Sequence, residues 1–172
     1  IDRVKRSFTD TLPSLNLRYA LNAEMVLRGA ITKTLTRPDY AALAGATSLS
    51  PPPAPGGIGS GSAPNPMLNP VRSTNLDVSW EWFHAPRAMV AVSAFHMNMS
   101  SLITVGQITR QFRTFNQANP NVFMADYVLN VPVNGKGKVQ GLEFTVEQPI
   151  GANFGVSANY TYPDAEEAGG KP

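Results

Sequence analysis

The sequence predicts an all-β fold, and more narrowly a segment of an antiparallel transmembrane β-barrel. Several stretches alternate between apolar and polar residues, which is the pattern of a strand with one apolar face. The connections between these stretches alternate between short and long, as in outer-membrane barrels, which collect short turns at one edge and long loops at the other. Only 15% of the 172 residues are charged, against about 25% in an average soluble domain.

The clearest alternation lies in 72–83. One face of this segment is apolar and partly aromatic, and the other is polar and carries two carboxylates. The apolar face holds Leu76, Val78, Trp80 and Trp82, and the polar face holds Asn75, Asp77, Ser79 and Glu81. By itself the pattern fits a strand of a soluble sandwich as well as a barrel strand between lipid and a wet lumen.

Six segments are predicted to be strands, namely 14–22, 25–35, 72–83, 88–105, 138–148 and 153–162. Helix is the competing interpretation for 15–31, because Leu, Ala, Glu, Met and Arg are helix formers, but the alternation before Asn22 favours a strand. Short turns are predicted near 22–24, 84–87 and 149–153. The regions 36–70 and 106–136 are predicted to be long irregular loops, and on the barrel interpretation they lie outside the cell.

The first long loop contains a tract at 50–66 that is rich in proline, glycine and serine. Because these residues disfavour a strand ladder, we expect neither a ladder nor a core there. The tract is interpreted either as a flexible linker between domains or as a long loop that joins neighbouring strands.

Composition excludes several classes of protein. Fourteen Lys and Arg residues against twelve Asp and Glu give a net charge of +2. Outside residues 110–115 a dense basic run interleaved with aromatic residues is lacking, so we predict no nucleic-acid partner. Cysteine is absent, which excludes disulfides and thiol chemistry. The longest apolar runs are far short of the ~18 residues that a transmembrane helix needs. The N-terminus lacks the pattern of a signal peptide.

The sequence offers little for catalysis. Neither His84 nor His96 adjoins a nucleophile or metal-binding motif, and the carboxylates are scattered. We therefore predict no catalytic residue, no metal site and no cofactor.

Two groups of residues are candidates for contact with a solute. On the barrel interpretation the polar strand faces line the lumen, through Arg18, Arg28, Asn75, Asp77, Glu81, Glu143 and Glu147. In the long loops, aromatic rings can stack on sugar rings, and guanidinium groups can pair with carboxylates or oxyanions. The loop candidates are Arg110, Phe112, Arg113 and Phe115, with a second set at Arg37, Asp39 and Tyr40.

The chain resembles the C-terminal part of the β-barrel of TonB-dependent outer-membrane receptors. Four stretches carry this resemblance, in the order and spacing of the family. They are LRGAITKTLTRPDY at 27–40, NPMLNPVRSTNLDVSWEWF at 65–83, VQGLEFTVEQP at 139–149 and ANYTYPDAE at 158–166. Within the family, the chain looks most like a proteobacterial subgroup linked to the uptake of carbohydrates.

The resemblance implies a 22-stranded barrel in the bacterial outer membrane, with an N-terminal plug domain and with uptake driven by TonB. About six strands, without a plug or a TonB-contacting segment, are too few for a closed barrel, since the smallest have about eight. We therefore expect 1–172 to be part of a larger receptor barrel.

The leading hypothesis is a fragment of an active transporter for a scarce small-molecule ligand, such as a carbohydrate or a siderophore. Its expected partners are outer-membrane lipid, the receptor's own plug domain and TonB. A non-transporting receptor or adhesin module is the alternative, and an outer-membrane enzyme is a third hypothesis.

Overall fold

The computed structural model describes residues 4–54, 56–116 and 119–168. These residues form a mainly antiparallel sheet of eight strands and one short helix. The elements are β1 (Ser14–Ala20), β2 (Met25–Thr36), α1 (Tyr40–Ala44), β3 (Ser48–Ser50), β4 (Gly59–Ser62), β5 (Val71–Ala85), β6 (Ala88–Asn116), β7 (Asn119–Ile150) and β8 (Phe154–Ala168). The predicted all-β class is confirmed, and the helical alternative for 15–31 is wrong because β1 and β2 form a hairpin. Within the described residues, no helix has the length and apolar character needed to cross a membrane.

Six strands pair side by side in the order β1-β2-β5-β6-β7-β8, and every pair is antiparallel. We call this part the wall; it comprises β1, β2, β5 and β8 with the segments 88–100 of β6 and 136–150 of β7. One row of paired residues across the wall is Leu17, Gly29, Val78, Ala94, Leu142 and Tyr162. The next row is Arg18, Arg28, Ser79, Ser93, Glu143 and Thr161. Because successive residues of a strand point to opposite sides, the wall has one apolar and one polar face.

The apolar face is exposed across the whole wall. Leu17 is 65% exposed and Tyr160 is 63% exposed, although both are large and apolar or aromatic. Other exposed members are Leu15, Tyr19, Leu27, Ile31, Leu76, Val78, Leu142, Phe144, Val146 and Tyr162. A sandwich would bury such a face against a second sheet, and the described residues supply none. The sandwich interpretation is therefore wrong.

The strand ends at the short turns are staggered, so that each turn lies at a different distance from the same row of paired residues. In the row that joins Met25, Trp82 and Val146, Met25 is the first residue of β2 after its turn. Trp82 lies three residues before the end of β5 at Ala85, and Val146 lies four before the end of β7 at Ile150. If the turns lie at one height, this stagger requires the strands to be tilted, as barrel closure demands.

The turns have local chemical causes. At the first turn the side-chain oxygen of Asn22 accepts hydrogen bonds from the backbone N–H groups of Glu24 (2.8 Å) and Met25 (2.7 Å). This Asx arrangement reverses the chain. Arg87 and Gly151 have positive φ angles of 64° and 63°, which close the other two turns.

The structure corrects the prediction of an irregular loop over 106–136. Here β6 and β7 continue as paired strands up to Thr114 and Phe123, forming what we call the hairpin extension, 102–116 and 119–135. Its sequence is rich in Ile, Val, Thr and Phe, which favour strands. The reason that periodicity fails is a bulge: the register shifts between Ser100 and Leu102, and Ser101 has φ 59°. One extra residue exchanges the faces of β6, so the alternation reverses at that point.

The structure also corrects the prediction that the tract at 50–66 forms neither a ladder nor a core. The tract GSGS at Gly59–Ser62 forms β4, which pairs with β3 and, in parallel, with β7. Glycine makes this approach possible: a Cβ atom on Gly59 would lie 2.5 Å from the Tyr127 ring, and one on Gly61 would lie 2.1 Å from the Ser48 carbonyl oxygen. Strand β4 pairs with one edge of β7, whereas β5 pairs with the edge of β6 that faces away from β7. Residues 63–70, which join β4 to β5 and which we call the crossover, therefore cross both β6 and β7 and are not a free linker.

A small hydrophobic core lies in the hairpin extension rather than in the wall. Tyr127 is 1% exposed and Leu129 is 0% exposed. They pack with Ala125 and Val131, and Phe112 contacts Tyr127 edge-on with 5.5 Å between ring centroids. Because Gly59 of β4 pairs with Tyr127, this core fixes β4, and with it the start of the crossover, to the hairpin extension.

We expect Tyr127→Ala in the full receptor to release β4 from the hairpin extension. Loss of a buried aromatic ring costs about 3–5 kcal/mol, enough to open a short added strand locally while the wall stays folded. Hydrogen exchange at Gly59–Ser62 should accelerate and proteases should cut within 51–62. Tyr40→Ala, which removes a tyrosine that is 88% exposed, is the matched control. Unchanged exchange in the Tyr127 variant would contradict this account of the core.

A second prediction separates the two faces of the wall. Val78→Arg places a charge in the apolar face, where a lipid contact costs about 2–4 kcal/mol near the membrane centre. Ser93→Arg, on the polar face opposite Glu143, should leave stability nearly unchanged. Urea unfolding of the full receptor in lipid vesicles measures both. Equal losses for the two variants would show that the apolar face does not meet lipid.

Candidate functional site

The polar face of the wall gathers the seven candidates predicted to share one surface. Register places Arg18, Arg28, Asn75, Asp77, Glu81, Glu143 and Glu147 on the same side of the sheet. They lie opposite the exposed apolar face. Several of them border one shallow hollow, together with Asn16, Ser79, Ser93 and Phe95.

Charge is distributed unevenly over this polar face. The two arginines lie on β1 and β2, whereas the four carboxylates lie on β5 and β7. One ion pair joins the two groups, from Arg28 Nε to Glu81 Oε1 at 2.8 Å. Among the described residues, Arg18, Asp77, Glu143 and Glu147 form no ion pair. These side chains are therefore available to water or to a partner on this face.

A further polar contact on this face is a short chain of hydrogen bonds. The Ser73 hydroxyl donates to Asn75 Oδ1, and Asn75 Nδ2 donates to Thr32 Oγ1 at 3.2 Å. Asn75 is thus held in place between β2 and β5.

The first set of loop candidates has different roles. Asp39 is the N-cap of α1, and its Oδ1 accepts a hydrogen bond from the Ala42 N–H at 2.7 Å. Tyr40 is 88% exposed, and Arg37 is also exposed. The geometry gives Asp39 a structural task and leaves Tyr40 and Arg37 open to a ligand.

The second set of loop candidates does not form one patch. Arg110 and Phe112 lie on one face of β6, and Arg113 and Phe115 lie on the other, because residues of a strand alternate. Phe112 packs against Tyr127 in the core. Arg110, Arg113 and Phe115 are exposed. A loop could have gathered these four side chains, but a strand separates them.

The sequence did not reveal a clamp between the N-terminal segment and the crossover. Arg6 donates hydrogen bonds to the carbonyl oxygens of Met67 and Leu68 (3.1 Å) and to Asn69 Oδ1 (2.8 Å). Arg72 forms an ion pair with Asp10. The Phe8 ring lies 4.8 Å from the Arg6 guanidinium and 5.9 Å from that of Arg72. No local pattern marks these contacts, because they join residues about sixty positions apart.

A further set of polar contacts holds the crossover to β7. The Asn65 side chain donates to the Pro132 carbonyl oxygen at 2.9 Å. Asn134 accepts from the Asn69 N–H at 2.8 Å and donates to the Asn69 carbonyl oxygen at 3.1 Å. Residues 65–69 are therefore fixed at both ends.

His84 contacts side chains of the wall, and His96 lies in β6 between Leu76 and Gln140 of the neighbouring strands. His84 Nε2 lies 2.9 Å from Gln148 Oε1, and the ring packs 5.0 Å from Trp82 between centroids. Within the part of the chain that the structure describes, no group of three or more His, Asp or Glu residues could hold a metal ion.

The capping role of Asp39 gives a prediction that separates structure from ligand contact. Asp39→Ala should destabilise α1 by about 1 kcal/mol, whereas Asp39→Asn should keep the cap. Hydrogen exchange of the Ala42 amide measures helix opening, and ligand affinity of the full receptor measures contact. If the Asn variant keeps the amide protected but loses ligand affinity, the carboxylate itself binds the ligand.

Comparison with known proteins identifies the family. The family described as TonB dependent receptor-like, beta-barrel matches residues 2–172. No curated protein sequence matches the chain. Several solved structures share its fold at low sequence identity.

The siderophore receptor PirA from Acinetobacter baumannii is 21% identical, with a TM-score of 0.68 over 88% of this chain and 22% of that one. A mutant ferric enterobactin receptor PfeA from Pseudomonas aeruginosa, in complex with enterobactin, is 20% identical, with a TM-score of 0.70 over 88% and 22%. PirA from Pseudomonas aeruginosa is 17% identical, with a TM-score of 0.62 over 91% and 28%.

The chain spans about a quarter or less of the length of these receptors. The family consists of receptors rather than enzymes, and the predicted resemblance is confirmed. The chain belongs to the TonB-dependent receptor family and is a segment of its β-barrel domain.

Proposed function

We propose that the chain is part of an outer-membrane transporter that takes up a scarce small molecule. The observation that carries this proposal is the wall, a single sheet with one exposed apolar face and one charged face. In a barrel, such a sheet separates lipid from a wet lumen. The short turns lie at one end and the hairpin extension at the other, which matches the periplasmic and outer ends of such barrels.

On this proposal the polar face is the lumen wall. Arg18, Asp77, Glu143 and Glu147 form no ion pair among the described residues, so they are available to a plug domain and to water. We propose that the plug is supplied by another part of the receptor and is rearranged through TonB.

Ligand contact is proposed for the exposed loop candidates only. Arg110 has the better position, because it pairs with Tyr127. Tyr127 and Glu143 are both odd-numbered residues of β7, which has no extra residue of its own between them, so they share a face of that strand. Arg110 therefore continues the polar face outwards. Arg37 and Tyr40 are the second candidates, whereas Phe112 is part of the core.

The ligand is proposed to be a carbohydrate, a ferric siderophore or a comparable nutrient. The similar solved structures are siderophore receptors, and identities of 17–21% carry the fold alone. Exposed arginines near an exposed tyrosine suit an anionic ligand or one with rings.

Energy-dependent uptake tests the proposal. Cells that express the full receptor should accumulate a radiolabelled ligand, with ferric enterobactin and a plant oligosaccharide as two probes. A protonophore or deletion of TonB should abolish uptake and leave surface binding intact. Binding with no energy-dependent uptake of any bound probe would instead support the non-transporting receptor or adhesin.

A further inference from the structure

The hairpin extension has one covered edge and one open edge. Strand β4 covers β7 from Tyr127 to Asn130. On the other side, the pairing of β5 with β6 ends at Ser100. Beyond the crossover, the edge of β6 from Val105 to Phe115 therefore has no strand beside it among the described residues.

An open edge of this length is a binding element. Alternate backbone N–H and C=O groups of an edge strand point away from the sheet, where they can pair with another extended chain. The residues from 105 to 115 include no proline or lysine, which natural edges often use to prevent such pairing. The covered edge shows that this sheet already accepts an added extended segment, since β4 docks there.

Charge indicates which segment fits. The whole of β6 contains no Asp or Glu, and Arg110 and Arg113 are exposed near the tip of the open edge. On the described part of β7, the carboxylate nearest to them is Asp126, which pairs with Gln111. Two arginines against this one carboxylate leave the edge with a net positive charge, which complements a segment with acidic residues.

A second copy of the chain fits this edge less well. Two copies in one membrane share the same orientation, so their β6 edges run parallel when related by an axis along the membrane normal. Such an axis turns one sheet over relative to the other, so residues at the same height point to opposite faces and the pleats of the two edges do not match.

We propose that the open edge of β6, from Val105 to Phe115, binds an acidic polypeptide segment in extended conformation as an added strand. Backbone hydrogen bonds supply the affinity, and Arg110 and Arg113 select acidic residues. The site shares Arg110 with the proposed ligand contact, but its test measures peptide binding and does not require ligand uptake.

The test uses the full receptor in detergent micelles and a fluorescent ten-residue peptide with the repeat Glu-Glu-Val-Val, which places Glu on both faces of a strand, as the probe. Fluorescence anisotropy should show saturable binding that weakens as salt is raised. The same peptide with N-methyl groups on alternate residues should bind at least roughly tenfold more weakly, because it lacks half of its backbone donors. Equal binding of the two peptides would overturn the added strand.

Substitutions locate the site. Arg113→Glu together with Arg110→Glu should weaken binding roughly tenfold or more. Lys136→Glu is the matched control, because it reverses an exposed cation where β7 is already paired on both sides. Arg113→Gln alone serves if the double variant does not fold. Because this variant keeps Arg110, which is the proposed ligand contact, a loss of peptide binding can be distinguished from a loss of ligand transport. Unaltered binding in these variants would overturn the proposed location.

Discussion

A backbone in lipid has no water to bond with, so every N–H and C=O group must find a partner within the protein. Between its two outer edges, the wall meets this constraint with one ladder that passes through all six strands. On the proposed location in the outer membrane, its register fixes which side chains face lipid, which explains why Leu17 and Tyr160 are large, apolar or aromatic, and exposed. On that proposal the wall needs no core of its own, because the membrane takes the place of a second layer.

Beyond the wall this constraint is relaxed and a different source of stability takes over. The hairpin extension folds around Tyr127 and Leu129, and the crossover is tied to it by Gly59 and by the amides of Asn65 and Asn134. The wall and the hairpin extension meet at the bulge at Ser101, where the faces of β6 exchange. On the proposed membrane location, the same two strands face lipid on one side of the bulge and form a water-exposed core on the other.

The wall was predictable from sequence because one of its faces is apolar and the other is polar, which gives every strand a period of two. The hairpin extension was not, because the bulge at Ser101 interrupts that period and because its core uses only one face. The strand at Gly59–Ser62 was hidden for a further reason: its glycines permit the close approach of the Tyr127 ring to Gly59 and of the Ser48 carbonyl oxygen to Gly61, which are contacts with other segments of the chain. Among the candidate residues, register determined those of the wall, whereas Asp39 and Phe112 proved to be a helix cap and a core residue.

The rigid attachment of the crossover bears on how the outer surface could recognise a ligand. A binding surface on a mobile loop must lose conformational entropy when it orders. Here Arg110 projects from a strand whose partner, Tyr127, is buried, and residues 65–69 are held at both ends. Much of the ordering has therefore occurred before any ligand arrives. On the proposed function, affinity on this part of the receptor would then depend on the few exposed side chains, Arg110 first, and not on closure of the crossover.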